Sequence, residues 1–344
     1  MNNIVTVNLP KNLSEEDSGL FTPFVRYGLE SLAVGRHKDV FVTHNGFCID
    51  KKGLMKESHH GYPDQYPSYL RIAADHQYDV YLHPDNLIHL DPKKSYVVIH
   101  HPFLNYYHWV CESIFRAWMV RDMMSDLVLV LPEEYKSFDF IMNSIRPFGF
   151  RDIFFIPGRK SIQVPDLVLP PIKPIVDGYY QKEVEGIKAF YLDYVRSLEG
   201  QKCDFGERLY ISRRKAARKK VENEDEIEPI IKKYGFEIVS NEEFSFLDQI
   251  SYFSKAKYVI SIHGSGLTNI LFMKPGSSVL EFQKKKTNSK DWHSHAFWYL
   301  ADCLGFDYYH QLCVPTDTEH DYFTANIIVD PVKLEENIVA MLSK

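Results

Sequence analysis

Short apolar runs rich in β-branched and aromatic residues alternate along this chain with stretches whose apolar positions recur at helical spacing. Val40 to Thr43, Tyr78 to Leu82, Tyr96 to His100, Leu127 to Leu131 and Ile153 to Ile156 read as strands in the first half. Leu209 to Ser212, Phe236 to Val239, Tyr258 to Ile262 and Ser278 to Phe282 do so in the second. Helical spacing covers Tyr107 to Asp122, Phe138 to Ile145, Gly186 to Leu198 and Phe297 to Leu304. Ser245 with Asp248 makes a cap and box for a helix ending near Ala256, and Asp330-Pro331 opens a last helix to Leu342. Pro229 places the start of another near Glu226 to Glu228, with Gly235 as its stop. Strand, helix and strand repeating in this way predict an α/β fold built on parallel sheets.

At 344 residues the chain suits two domains. The proline-dense passage Val164 to Val176 is the expected hinge, which puts one lobe at residues 1–172 and the other at 173–344. The last helix is expected to pack back on the first lobe, by analogy with other two-lobed folds. A formal charge of −6 argues against general nucleic-acid binding. Five scattered cysteines predict free thiols and no zinc site, and no apolar run approaches the ~18 residues of a membrane span. A cytoplasmic location is expected. His59 and His60, without partners at ligand spacing, read as surface histidines.

Candidate chemistry concentrates in three stretches. The first runs from Tyr258 to Phe282: a strand, His263-Gly264-Ser265-Gly266, an apolar turn of helix from Leu267 to Met273 that stops at Pro275-Gly276, and a second strand. That is a parallel crossover, and its glycine turn presents backbone amides suited to an anion. The same pattern also serves as an ordinary tight turn, and it is neither a dinucleotide fingerprint nor a P-loop. In the second stretch His108, Glu112 and Arg116 recur every four residues, so a regular helix puts them on one face. That face is either solvated or functional. The third is the basic run Ser212-Arg213-Arg214 to Arg218-Lys219-Lys220, which follows a strand. It suits a solvated segment balanced by Glu222 to Glu228, a nucleic-acid contact, or a diphosphate clamp.

The string HGSGLTNILFMKPGSSVLEF, with NYYHWVCESIFRAW before it and the Ser-Arg-Arg block between, resembles the signature of the glycosyltransferase 61 family. The resemblance covers roughly Tyr96 to Phe306 and points to a bacterial-type member. That family includes plant wall xylosyl- and arabinosyltransferases, animal N-acetylglucosaminyltransferases and bacterial capsule enzymes. The resemblance implies a GT-B-type fold, two Rossmann-like parallel-sheet lobes facing a cleft, with the nucleotide on the C-terminal lobe and an inverting outcome. No two aspartates stand two apart, so no Asp-x-Asp metal motif exists and no metal is expected. Leaving-group charge would then fall to arginine and helix-terminal amides.

The expected donor site is Arg213 and Arg218, the turn His263, Gly264, Ser265, Gly266 and Leu267, and Glu281. Glu281 would accept from ribose hydroxyls, or else cap a neighbouring amide. Glu112 is the expected general base, with His108 its rival, and Asn105, Trp109 and Arg116 are expected around the acceptor or sugar. Trp292, His293 and His295 would line the base or sugar pocket. The expected partners are a nucleotide sugar, UDP-linked, and a saccharide acceptor in capsular or surface polysaccharide synthesis, with peripheral membrane association through a lipid-linked acceptor. A nucleotide-sugar epimerase of similar fold and a non-catalytic carbohydrate- or nucleotide-binding assembly protein are the alternatives.

Overall fold

Two sheets with parallel centres organise the chain, one in each of two structural units. The computed structural model describes residues 3–173, 175–198, 203–288, 291, 293–318 and 324–343, so Trp292 lies outside the described residues. One unit comprises Glu30–Gly178 and the other Asn3–Leu29 with Tyr179–Lys344. The break falls just beyond the proline-dense passage, and the N-terminal segment belongs to the second unit rather than to the first lobe expected for it. The architecture is mixed α/β, as the alternating pattern predicts.

In the first unit, Asp152–Ile156, Leu127–Pro132, Ser95–Val98 and Ser161–Leu169 lie side by side and parallel. Gly35–Val42 then joins antiparallel and leads into Cys48–Asp50 and Gly53–Leu54. Ser161–Leu169 runs through the expected hinge with Pro165 inside it. Proline cannot donate to a ladder. Its neighbours Val164 and Asp166 pair with Val40 and Lys38, and the intervening Asp39 takes a left-handed φ of 55°. The partner strand is distorted at the one position where the proline has no amide to offer. Tyr78 to Leu82, expected as a strand, ends the helix Tyr66–Leu82 instead. Tyr69 and Ala73, four apart and buried, fix that segment as helix and override local β-propensity.

In the second unit the strand order is Glu237–Val239, Arg208–Ile211, Tyr258–Ile262, Ser278–Lys284, Asp307–Pro315, all parallel, with Ile327–Ile328 antiparallel at the edge. The Tyr258 crossover forms as expected, but its helix, Ser265–Phe272, is a tight 3₁₀ helix. Ser245 accepts the Asp248 amide at 3.2 Å, as its capping pattern predicts. The helix carrying Pro229 starts at Glu224, earlier than expected. Burial of Ile227 and Ile231 holds it despite the carbonyl left unbonded one turn back. The final helix, Pro331–Leu342, stays in this unit, where Leu334, Ile338 and Met341 enter its core.

The N-terminal segment explains part of its own placement. Asn3–Thr6 pairs antiparallel with Arg26–Leu29, and between them Phe21 is buried with its ring centroid 4.6 Å from His310 and 5.1 Å from Trp298. Phe21→Ala is expected to destabilise the second unit by about 3–5 kcal/mol. A lowered urea midpoint for the transition reported by Trp298 fluorescence checks this; an unmoved midpoint refutes it.

Candidate active site

In each unit the chain reverses its winding direction at the first strand of the parallel set. In the first unit this happens beside Ser95–Val98, between Leu127–Pro132 and Ser161–Leu169. In the second it happens beside Arg208–Ile211, between Glu237–Val239 and Tyr258–Ile262. Ligands of open α/β sheets bind at the carboxyl ends of strands at such switch points. The candidate residues gather at both.

At the first switch point Ser95–Val98 runs into Ile99, His100 and His101. The helix that follows begins at Tyr106, capped by Asn105, whose side chain accepts the His108 amide at 3.0 Å. It then widens into a π turn over Trp109–Ser113 before resuming as Ile114–Met119. π turns occur mostly as single bulges and often at functional sites. Here the turn carries Glu112, which has no exposed surface. His60 Nε2 lies 2.8 Å from one carboxylate oxygen and His108 Nδ1 2.5 Å from the other. His101 Nε2 stands 3.3 Å from that second oxygen, near enough to feel its charge but off-line for a good hydrogen bond. Burial pushes the Glu112 pKa up, yet the three imidazoles outweigh it and hold the carboxyl well below its ordinary range.

Arg116 does not share this cluster's open side. Its guanidinium is fully buried and bonds the carbonyls of Ile99 and His100 at 2.9 Å and of Pro170 at 2.7 Å. It staples together the carboxyl ends of the two strands that diverge at the switch point. Trp109 likewise belongs to the core: it is buried, and its indole donates to Ser144 at 2.7 Å. Neither side chain is placed to touch a sugar. Phe103 is exposed and stacked on His108 with centroids 5.4 Å apart. His60 is a correction of a different kind, since it is 1 % exposed and bound to Glu112 rather than on the surface.

His101, His108 and Glu112 each offer a ligand atom within 4.8 Å of the others. His101 Nδ1 accepts the Phe103 amide at 3.4 Å. Glu112 accepts on both oxygens.

At the second switch point Arg208–Ile211 ends in Ser212-Arg213, and Tyr258–Ile262 ends in His263-Gly264. Gly264 is extended, with φ of 167°, so the turn does not need its conformational freedom. What the position does is lie under Arg213, whose guanidinium carbon and Nη1 would sit 3.9 and 3.7 Å from an added Cβ. Gly266 is tighter: a Cβ there would come within 3.1 Å of Asn241 Nδ2. The Leu267 amide is spent on the Gly264 carbonyl at 2.9 Å, and Leu267 is buried. Arg214 is drawn away by Asp225 at 2.8 Å and Glu228 at 3.1 Å, whereas Arg218 is exposed.

Glu281 lies within its strand, which runs on to Lys284, and is fully buried. One oxygen pairs with His263 Nδ1 and the other accepts from Tyr308 Oη at 2.6 Å. With both oxygens taken it is not placed to bind ribose; it orients His263. His263 is itself buried, and burial followed by the Lys219 charge holds its pKa below the ordinary value. His293 and His295 are also buried, and His295 Nε2 meets the Leu20 carbonyl at 2.9 Å.

Each of the two sheets carries at its switch point a histidine held by a buried glutamate. The family model described as Glycosyltransferase 61 matches residues 106–280, and the chain belongs to that family and is a glycosyltransferase. No curated protein matches it. No helix among the described residues is long and apolar enough to cross a membrane.

The buried histidines behind this site set its acid response. Burial lowers the His100 pKa to about 3 and the His101 pKa to about 4. Both folded values lie below the unfolded one, so the stability they confer is complete above about pH 6.5 and drains away as pH falls toward 4. Urea midpoints measured from pH 7.5 to 4 should fall, and His100→Gln should flatten that slope. An unchanged slope refutes the assignment.

Proposed function

We propose that this glycosyltransferase moves a sugar from a nucleoside diphosphate sugar, UDP-linked, to a hydroxyl of a saccharide acceptor, in one displacement with inversion and without a metal. The observation that carries this reading is the His108–Glu112 pair. Glu112 has no exposed surface and a depressed pKa, both poor properties for a base meeting a substrate hydroxyl. His108 is 17 % exposed, and with Nδ1 committed to Glu112 it keeps Nε2 for the substrate. The roles expected from sequence therefore exchange: His108 is the base and Glu112 its positioning residue.

Nε2 takes the proton of the acceptor hydroxyl as its oxygen attacks the anomeric carbon. The bond from that carbon to the diphosphate oxygen breaks, and the nucleoside diphosphate departs with the electron pair. A double displacement needs an accessible nucleophile, and the one carboxylate of the cluster is sealed off, which favours inversion. Arg213 and the Gly264–Gly266 amides serve the departing diphosphate in the second unit. A GT-B-type pair of lobes, action on capsular or surface polysaccharide, and a cytoplasmic setting at the membrane face with a lipid-linked acceptor complete the proposal, on the strength of the family.

A panel of nucleotide sugars scored by rise in Tm identifies the donor. With it in hand, His108→Asn should lower kcat about a hundredfold or more while donor affinity by calorimetry holds. Near-normal turnover would remove His108 as the base. Activity should also survive dialysis against EDTA; loss restored by a divalent ion would overturn the metal-free mechanism.

A further inference from the structure

The loop that carries His60 is tied down on both sides of that residue. Before it, the Met55 amide donates to the Cys48 carbonyl at 2.8 Å and the Ser58 hydroxyl to the Met55 carbonyl at 2.7 Å. The Glu57 carbonyl accepts the Ile172 amide at 3.0 Å. After it, the Tyr62 hydroxyl accepts the Val176 amide, also at 3.0 Å. These ties leave the backbone at position 60 little freedom, which is what a side chain supporting a site requires.

What that backbone holds in place is an imidazole against a buried charge. His60 Nε2 lies 2.8 Å from Glu112 Oε1, and neither side chain has more than 1 % of its surface exposed. An ionised carboxylate only accepts, so His60 is the donor of this bond. Glu112 Oε2 takes His108 Nδ1. A carboxylate held by one oxygen can turn about its last bond; held by both, it presents Oε2 to His108 in a single orientation. His101 does not provide that second hold. Its Nε2 stands 3.3 Å from Oε2, the oxygen His108 already uses, and makes no hydrogen bond there. Only the far end of this row reaches solvent, at His108.

We propose that His60 is a positioning residue for the transfer: by holding Oε1 of Glu112 it fixes Oε2 against His108, and so aims His108 Nε2 at the acceptor hydroxyl. This rests on the reading of His108 as the base.

The test measures kcat per folded molecule, with the nucleotide sugar that raises Tm, for three variants. His60→Gln places an amide N–H where Nε2 stood. His60→Phe keeps a ring among Tyr62, His101 and Phe103 but offers no donor, and His60→Asn is too short to reach and serves should the Phe variant not fold. Phe and Asn should lower kcat about tenfold or more and leave the donor KM within a few-fold, while Gln stays close to the parent. Because His60 acts through Glu112, adding His60→Phe to Glu112→Gln should cost little more. Protein carrying isotope-labelled histidine should also show a far-downfield imidazole N–H resonance that His108→Asn abolishes. His60→Phe and His60→Asn should shift it, and His60→Gln should leave it near its place.

If Phe and Asn turn over as the parent does, with that resonance unmoved, while His108→Asn loses turnover, the base reading stands and His60 merely satisfies a buried charge. Losses that add in full in the double variant would put the action of His60 elsewhere and overturn the proposal. If His108→Asn itself keeps its turnover, the base reading fails and takes the proposal with it.

Discussion

An ionised carboxylate placed where water cannot reach has to be surrounded by donors, and Glu112 is the case on which the first unit depends. Its charge is sustained by His60 from a loop fifty-two residues earlier, His101 from the strand end and His108 from one turn before. Accepting from His60 and His108, the carboxylate fixes which nitrogen of those two imidazoles faces it. It leaves Nε2 as the His108 nitrogen not turned to the carboxylate. Arg116 supports the arrangement from beneath. Its three carbonyl bonds fix the strand ends from which His100 and His101 spring. The π turn is the local distortion through which one helix carries both Glu112 and Arg116 to these different partners.

The second unit repeats the device with a different emphasis. Glu281 is as buried as Glu112 and grips His263 by the same nitrogen. Its other oxygen goes to a tyrosine hydroxyl rather than to more histidines, and His263 is less open to solvent than His108, at 7 % against 17 %. Beside Lys219, in a buried place, His263 is kept neutral. A neutral, enclosed imidazole locked by a carboxylate is a rigid wall for a site more than a proton carrier. The two pairs look alike on paper, but exposure and neighbouring charge separate the proposed base from a scaffold.

Much of this was legible in the order of residues. The parallel crossover at Tyr258, the cap at Ser245 and the pairing of His108 with Glu112 all rest on local periodicity, and local periodicity survived folding. What was hidden depends on distance in sequence. His60 reaches Glu112 through a loop with no motif, so nothing nearby distinguished it from its exposed-looking context. Glu281 read as a strand-end carboxylate because the strand's true end, three residues on at Lys284, contains Gln283 and Lys284, polar residues buried by the sheet. Arg116 was misplaced by assuming an unbroken helix; a π turn has no strong sequence signature. Pro165 masked a strand because its accommodation lies in the partner, at Asp39.

The basic run shows most plainly what composition leaves undetermined. Arg213, Arg214, Arg218 and Lys219 lie within seven positions and carry the same charge, yet they meet four different fates. The helix that begins at Glu224 has three acidic residues in its first turn, which suits its own dipole. Asp225 of that turn, with Glu228 one turn on, draws Arg214 out toward solvent. Arg213, one residue earlier, is set at the strand end and turns inward over Gly264. Arg218 stays exposed, and Lys219 is carried in by the backbone itself. A stretch of acidic residues after a basic one is easily taken for simple neutralisation. Here it sorts the cations, drawing Arg214 away from the switch point and leaving Arg213 there.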